Sequence, residues 1–309
     1  MMFWIAMSSK DRLEKTLSIE RSGLYTYLNI FRSYIELFKI RQTLASVFIG
    51  VMTYLKYINL TPDLYSLILF SSALFLVTAG ATGVNMFLDA DIDSIMIRTR
   101  NRPIPSGRIE RYRAFITSLV IMILGLYISY VLNIYVFISA FLGVLIFDIL
   151  YTLILKRRTP WSVVICSSAG AMPVIAGASL SGRIDIEVLY LSVMISLWSL
   201  IHIWTTSIKW ADDYRNAHIP MLPAVYGAEK SIETIFVAVS ILYIFNILMY
   251  IKGYLSVMTL IFSYLILLIM IILGIKSLVS KKYEKYSYIM FKINTLYLII
   301  FFIFYLLNL

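Results

Sequence analysis

The chain has 309 residues, of which 61% are hydrophobic and only 14% charged, with a formal net charge of +10. A soluble domain is nearer half apolar and a quarter charged, so a soluble enzyme and a disordered chain are both excluded. The single cysteine, Cys166, excludes a disulfide framework and a thiolate metal cluster.

The opening MMFWIAMSSK carries no basic region ahead of its short apolar run and reads as a ragged N-terminus, not a secretory signal. Residues 8–33 form an amphipathic arm suited to a membrane surface. Apolar stretches of about 20 residues then recur, each long enough to cross a bilayer. They predict nine spans, at 42–57, 64–87, 112–131, 134–155, 161–180, 186–208, 231–251, 254–275 and 289–308. The expectation is an all-α membrane protein: an N-terminal arm over 1–41, then one polytopic domain over 42–309.

The basic residues sort by side. Of 27 Lys and Arg, all but Lys56, Arg183 and Lys252 fall in the arm or in alternate loops. The positive-inside rule puts those loops, and the N-terminus, in the cytoplasm. The positive charge thus reports membrane orientation, and no nucleic-acid partner is expected.

Two of the loops on the basic side mix acids with bases. After the second span comes NMFLDADIDSIMIRTRNRPIPSGR, residues 85–108; after the sixth comes KWADDYRNAHIPMLPAVYGAEK, residues 209–230. Asn85, Asp89 and Asp93 are spaced i, i+4, i+8, on one helix face, with Asp91 turned away. Like charges so placed at a membrane boundary repel and want a cation; oxygen donors alone suit Mg²⁺. Arg98, Arg100, Arg102 and Arg108 add guanidinium groups, which favour phosphate oxygens. Carboxylates for a metal plus arginines for phosphate imply a diphosphate substrate, and a site at a bilayer boundary implies a lipid-like one. The plain alternative is that these acids and bases pair with one another and with headgroups. Lys209, Asp212, Asp213, Tyr214 and Arg215 repeat the theme after the sixth span and weigh against it.

The Asn-x-x-x-Asp-x-x-x-Asp pattern resembles the UbiA superfamily of intramembrane prenyltransferases. The runs DIDSIMIRTRNRPIPSGRI (91–109), YTLILKRRTP (151–160), AGAMP (169–173) and DDYRNAHIPMLP (212–223) are most similar to its protoheme IX farnesyltransferase branch, the haem O synthases. That resemblance implies helices around a central cavity capped by the two charged loops. It implies Mg²⁺, farnesyl diphosphate, and haem b as acceptor, its vinyl group gaining a hydroxyethylfarnesyl chain. A haem A synthase or terminal oxidase assembly would receive the product. Asn85, Asp89 and Asp93 would hold one metal and Asp212 and Asp213 a second. Arg98, Arg102, Lys156 and Lys209 would neutralise the diphosphate, and His202, Trp204 and Tyr151 would contact the haem. The chain departs from the branch at Lys39-Ile40-Arg41, where the branch has Lys-Pro-Arg, and in the sixth span, which lacks the branch's two prolines beside His202. A quinone-precursor or glycerolipid acceptor is the other reading within the superfamily. A transporter and a haem chaperone are rivals outside it. Asp148, inside the fourth span, reads either as functional or as paired with a local Tyr or Ser. His218 and Cys166 read as incidental.

Overall fold

The computed structural model describes residues 28–308, so most of the surface arm expected over 8–33 lies outside the described residues. Thirteen helices follow in order: α1 over 28–37, α2 Ile40–Tyr57, α3 Leu64–Leu88, α4 Ala90–Ile95, α5 Arg111–Leu132 and α6 Ile134–Leu155. After them come α7 Ser162–Ala169, α8 Met172–Leu180, α9 Ile186–Lys209, α10 Ala211–Asn216, α11 Leu222–Ile251, α12 Val257–Ser280 and α13 Tyr283–Leu307. Among the described residues there is no strand, and eight helical segments are long and apolar enough to cross a membrane. They coincide with the second to ninth expected spans, with α7 and α8 sharing one. The first, α2, packs inside the bundle, and Arg41, Gln42 and Thr43 make its start more polar than the rest.

Exposed Leu, Ile, Val and Phe cover the outside of the bundle, as a lipid-facing surface requires. Inside, association depends on close approach. A Cβ on Gly80 of α3 would lie 2.5–2.6 Å from Met122 and the Ser118 carbonyl of α5. One on Gly125 of α5 would lie 2.6 Å from the backbone of Val77, and one on Gly177 of α8 would lie 2.3 Å from the Gly50 carbonyl of α2. Small residues let backbones touch where apolar burial gives no net drive in lipid.

Two irregularities shape the interior. The second half of α6, Leu145–Leu155, is wound as a π-helix, a form that concentrates at functional sites. The segment Ser162–Leu180 breaks between α7 and α8 at Gly170, with Pro173 tolerated in the first turn of α8. At the end away from the charged loops, polar groups are tied down. Tyr305 donates to Glu187 at 2.6 Å and lies 3.3 Å from Tyr57, Lys56 caps the Tyr305 carbonyl at 2.7 Å, and Arg183 sits over the Tyr57 ring.

Gly80→Val should therefore lower the midpoint of thermal unfolding, because overpacking a close helix crossing costs about 1–3 kcal/mol. Gly143→Ala, whose added Cβ meets Met172 at an ordinary 3.4 Å, should leave it unchanged. Tryptophan fluorescence of the detergent-solubilised chain on heating checks both.

Candidate active site

The α3–α4 junction builds the site. The helix bends at Asp89, yet the ladder carries through it: the Asp89 amide donates to the Asn85 carbonyl and the Asp93 amide to the Asp89 carbonyl. Asn85, Asp89 and Asp93 therefore share a face, as their spacing predicts. All three are buried. Asp91 points away, and its carboxylate takes both ends of the Arg157 guanidinium at 2.8 Å. Those hydrogen bonds hold the Asp91 carboxyl below its ordinary range.

Each buried oxygen group faces a cation. Lys156 pairs with Asp89 at 2.5 Å, Arg102 with Asp93 at 2.6 Å, and Lys39 donates to Asn85 Oδ1 at 2.7 Å. Asn85 Nδ2 ties the group to Asp89 and to Thr152 of the π-wound α6, both at 3.0 Å. Burial and the Arg102 charge push the Lys39 ammonium down, to about 7, against the pull of Asp89 and Asp93. Lys39 was not singled out from the sequence as a site residue. It sits in a left-handed turn ahead of α2, at φ 43°, which folds its side chain inward. Its place at the basic end of the first span was the available signal.

These groups line one end of a cavity of about 320 Å³. Four cations (Lys39, Arg98, Arg102, Lys156) face two carboxylates there, and Tyr151, Tyr214 and Cys166 stand beside them. Below, the walls turn apolar with Leu74, Val77, Ala81, Val144, Phe147 and Met172. The cavity thus has a cation-rich head and an apolar body. Its donors fit Mg²⁺: they are hard oxygens, and Asp89 Oδ1 is buried with no partner. Among the described residues no three His, Cys, Asp or Glu converge, and the Asn85 amide oxygen stands beside Asp89 and Asp93 as the third oxygen.

Several expected site residues lie elsewhere. Asp213 is buried, but its two oxygens accept the backbone N–H groups of Ile97 and Arg98, at 3.2 and 2.9 Å. It clasps the loop that carries Arg98, whose guanidinium reaches Tyr214 at 3.0 Å. Asp212 is exposed and paired with Arg215, so the two acids do not form an opposing pair on the cavity wall. Lys209 ends α9 outside the lining, over the rings of Tyr288 and Trp210 at 4.6 and 5.2 Å. Arg108 pairs with Glu36, and Arg100 is exposed.

The three expected acceptor contacts are separated. Tyr151 lines the cavity. Trp204 faces the other side of α9, edge-on to Trp161 and lining a shallow apolar groove with Val237 and Ile241. His202 turns toward α13, its ring 4.5 Å from that of Phe291. Asp148 is buried in the π-wound segment, and neither carboxylate oxygen has a partner, so no local Tyr or Ser satisfies it. His218 is exposed in a left-handed loop after α10, and Cys166 is buried on the cavity wall.

Residues 43–303 match the UbiA prenyltransferase family. The protoheme IX farnesyltransferase of Thermofilum pendens is 38% identical over 270 residues, which is 87% of this chain and 95% of that one. That of Korarchaeum cryptofilum is 38% identical over 227 residues, 73% of this chain and 76% of its own. Among solved structures, one of digeranylgeranylglyceryl phosphate synthase superposes with a TM-score of 0.73 at 23% identity, covering 90% of this chain and 98% of that one. A UbiA homologue from Archaeoglobus fulgidus bound to DMAPP and Mg²⁺ gives 0.65 at 15% identity, covering 86% and 99%. At those identities the structural likeness is one of fold. The family match spans both charged loops and the cavity walls from α2 onward: this multi-pass membrane chain belongs to the UbiA prenyltransferase family.

Proposed function

We propose that the protein transfers a farnesyl group from farnesyl diphosphate to a vinyl group of protoheme IX, giving haem O. The observation that carries the reading is the cavity with a cation-rich, oxygen-donor head over an apolar body. The 38% identity to protoheme IX farnesyltransferases supports haem as the acceptor. The reading places a single catalytic domain over 42–309 behind the arm 1–41, in the plasma membrane. The basic loops, the N-terminus and the cavity head face the cytoplasm, and α2 is the first of nine spans. A haem A synthase or an oxidase assembly step would take the product.

The chain's own residues act in sequence. Asn85, Asp89 and Asp93 would hold Mg²⁺, which supplies positive charge to the leaving diphosphate. Lys156, Arg102 and Lys39, which here meet the carboxylates and the Asn85 amide, lie beside Arg98 where the oxygens of a diphosphate would take them up. The C1–O bond of the farnesyl chain breaks as that charge grows on the diphosphate, and the cations lining the head of the cavity stabilise it. The apolar walls exclude water from the allylic cation, and the faces of Tyr151, Tyr214 and Phe147 lie where they can stabilise it. C1 bonds to the terminal vinyl carbon. A water oxygen adds to the inner carbon and loses a proton, leaving the hydroxyethylfarnesyl group.

Asp213 has a different part in this account, that of holding Ile97 and Arg98 in place. Asp213→Asn should lower kcat/KM by about tenfold, the loss of one charge-assisted hydrogen bond, and leave the Mg²⁺ concentration for half-maximal rate unchanged. A metal ligand would shift that concentration instead.

Membranes from cells overproducing the chain, given haem b, farnesyl diphosphate and Mg²⁺, should yield hydroxyethylfarnesyl haem by mass spectrometry. Asp89→Ala should reduce the yield by at least about 10²-fold, the scale seen when one preorganised electrostatic group is removed. Prenyl transfer to a quinone precursor with none to haem would replace the acceptor.

A further inference from the structure

The apolar body of the cavity ends at one level on three helices. Leu74 on α3, Ala140 on α6 and Ala176 on α8 are the lining residues furthest along those helices from the charged head. One turn further on, each wall is sealed. Phe70 of α3 and Val136 of α6 are fully buried, and Leu180 of α8 packs against the same cluster. Phe70, Leu74, Val136 and Ala176 form that cluster with Tyr54 of α2, whose ring lies 5.9 Å from that of Phe70. A Cβ on Gly50 of α2 would run into Leu74 and lie 3.4 Å from Phe70, so α2 presses on the same layer. Small side chains above and large, interlocked ones below give the cavity a solid floor.

We propose that this floor sets the length of the prenyl chain, stopping it at three isoprene units. The inference rests on the prenyl diphosphate reading above and deepens it by naming the residues that choose among diphosphates. Depth and length can be compared directly. Leu74 at the floor lies eleven residues before Asn85 at the head, about 16 Å along α3. An isoprene unit spans four chain bonds, about 4.6 Å when extended, on the scale at which three backbone bonds span about 3.5 Å. Three units then need about 14 Å and four about 18 Å. A farnesyl chain fits between head and floor, its last methyl groups against Leu74, Ala140 and Ala176. A geranylgeranyl chain would drive its fourth unit into Phe70, which is held on every side and resists displacement as close-packed interiors do. A geranyl chain would leave the lowest part of the apolar wall uncovered. A chain that left sideways into lipid would meet no floor, and longer diphosphates would then bind as well as farnesyl diphosphate.

The test measures binding of geranyl, farnesyl and geranylgeranyl diphosphate, with Mg²⁺, to the full chain in phosphatidylcholine nanodiscs by calorimetry. No acceptor is present, so the result does not depend on which acceptor the protein uses. The parent should bind farnesyl diphosphate at least about tenfold tighter than either neighbour, since a misfit of one methylene in an apolar pocket is already worth about 10- to 200-fold. Phe70→Ala with Leu74→Ala should remove the floor and bring geranylgeranyl diphosphate level with farnesyl diphosphate or above it. Ala140→Leu should raise the floor and shift the preference about tenfold toward geranyl diphosphate. Ile138→Ala, on the lipid side of α6 at the same level, should leave the order unchanged. A general loss of packing cannot move the preference in both directions. If the double variant does not fold, Ala140→Leu alone decides. Equal binding of the three diphosphates by the parent, or a preference that the folded variants do not move, overturns the floor and leaves the prenyltransferase standing. If the parent binds none of the three, the prenyl diphosphate reading itself falls, and the floor with it.

Discussion

A buried charge must find a counter-charge, and this rule governs the whole site. Asp89 and Asp93 lie within the end of an apolar bundle, where a bare carboxylate is costly. Lys156 and Arg102 meet them, and Lys39 meets the amide that joins them. In this state the network is nearly self-satisfied. It leaves out Asp89 Oδ1 and Arg98 Nε, one acceptor and one donor, both buried. A metal and a diphosphate would complete both at once. A metal alone would displace the lysine and arginine from the carboxylates and strand them. A diphosphate alone would draw those cations away and strand the carboxylates. The arrangement therefore favours joint entry of the two.

The far end of the bundle shows the contrast. There Lys56, Tyr57, Arg183, Glu187 and Tyr305 bond to one another or stack, and none appears with an open valence. The same chain thus holds polar groups in two ways. At one end they close the fold. At the other they are held ready for charges that arrive with substrate. Close crossings at Gly80, Gly125 and Gly177 join α3 to α5 and α8 to α2, and Asn85 on α3 touches Thr152 on α6.

Much of this was legible in the sequence because it depends on period. Span length follows bilayer thickness, and the i, i+4, i+8 face follows helix pitch, so Asn85, Asp89 and Asp93 could be grouped and Asp91 set apart. The rest depends on what lies across from a residue. Asp213 and Lys209 carry the charges their expected roles need, but only the fold shows that Asp213 meets the amides of Ile97 and Arg98 and that Lys209 lies over the ring of Tyr288. His202 and Trp204 are two residues apart, and pitch alone sends them to different neighbours, α13 and α11. Lys39 was noted only as part of a departure from the branch, because a left-handed turn, not a pattern, aims it inward. The π-winding around Asp148 left no mark that periodicity could detect.

Joint entry is the central claim, and binding linkage tests it most directly. Farnesyl diphosphate affinity for the nanodisc-embedded chain would be measured by calorimetry across a Mg²⁺ series, and repeated with Lys156→Gln. The account predicts that Mg²⁺ tightens farnesyl diphosphate binding about 10- to 100-fold, beyond any effect of Mg²⁺ on the free diphosphate, and that Lys156→Gln reduces this coupling. Affinity that is the same with and without Mg²⁺, or coupling untouched by Lys156→Gln, would contradict it.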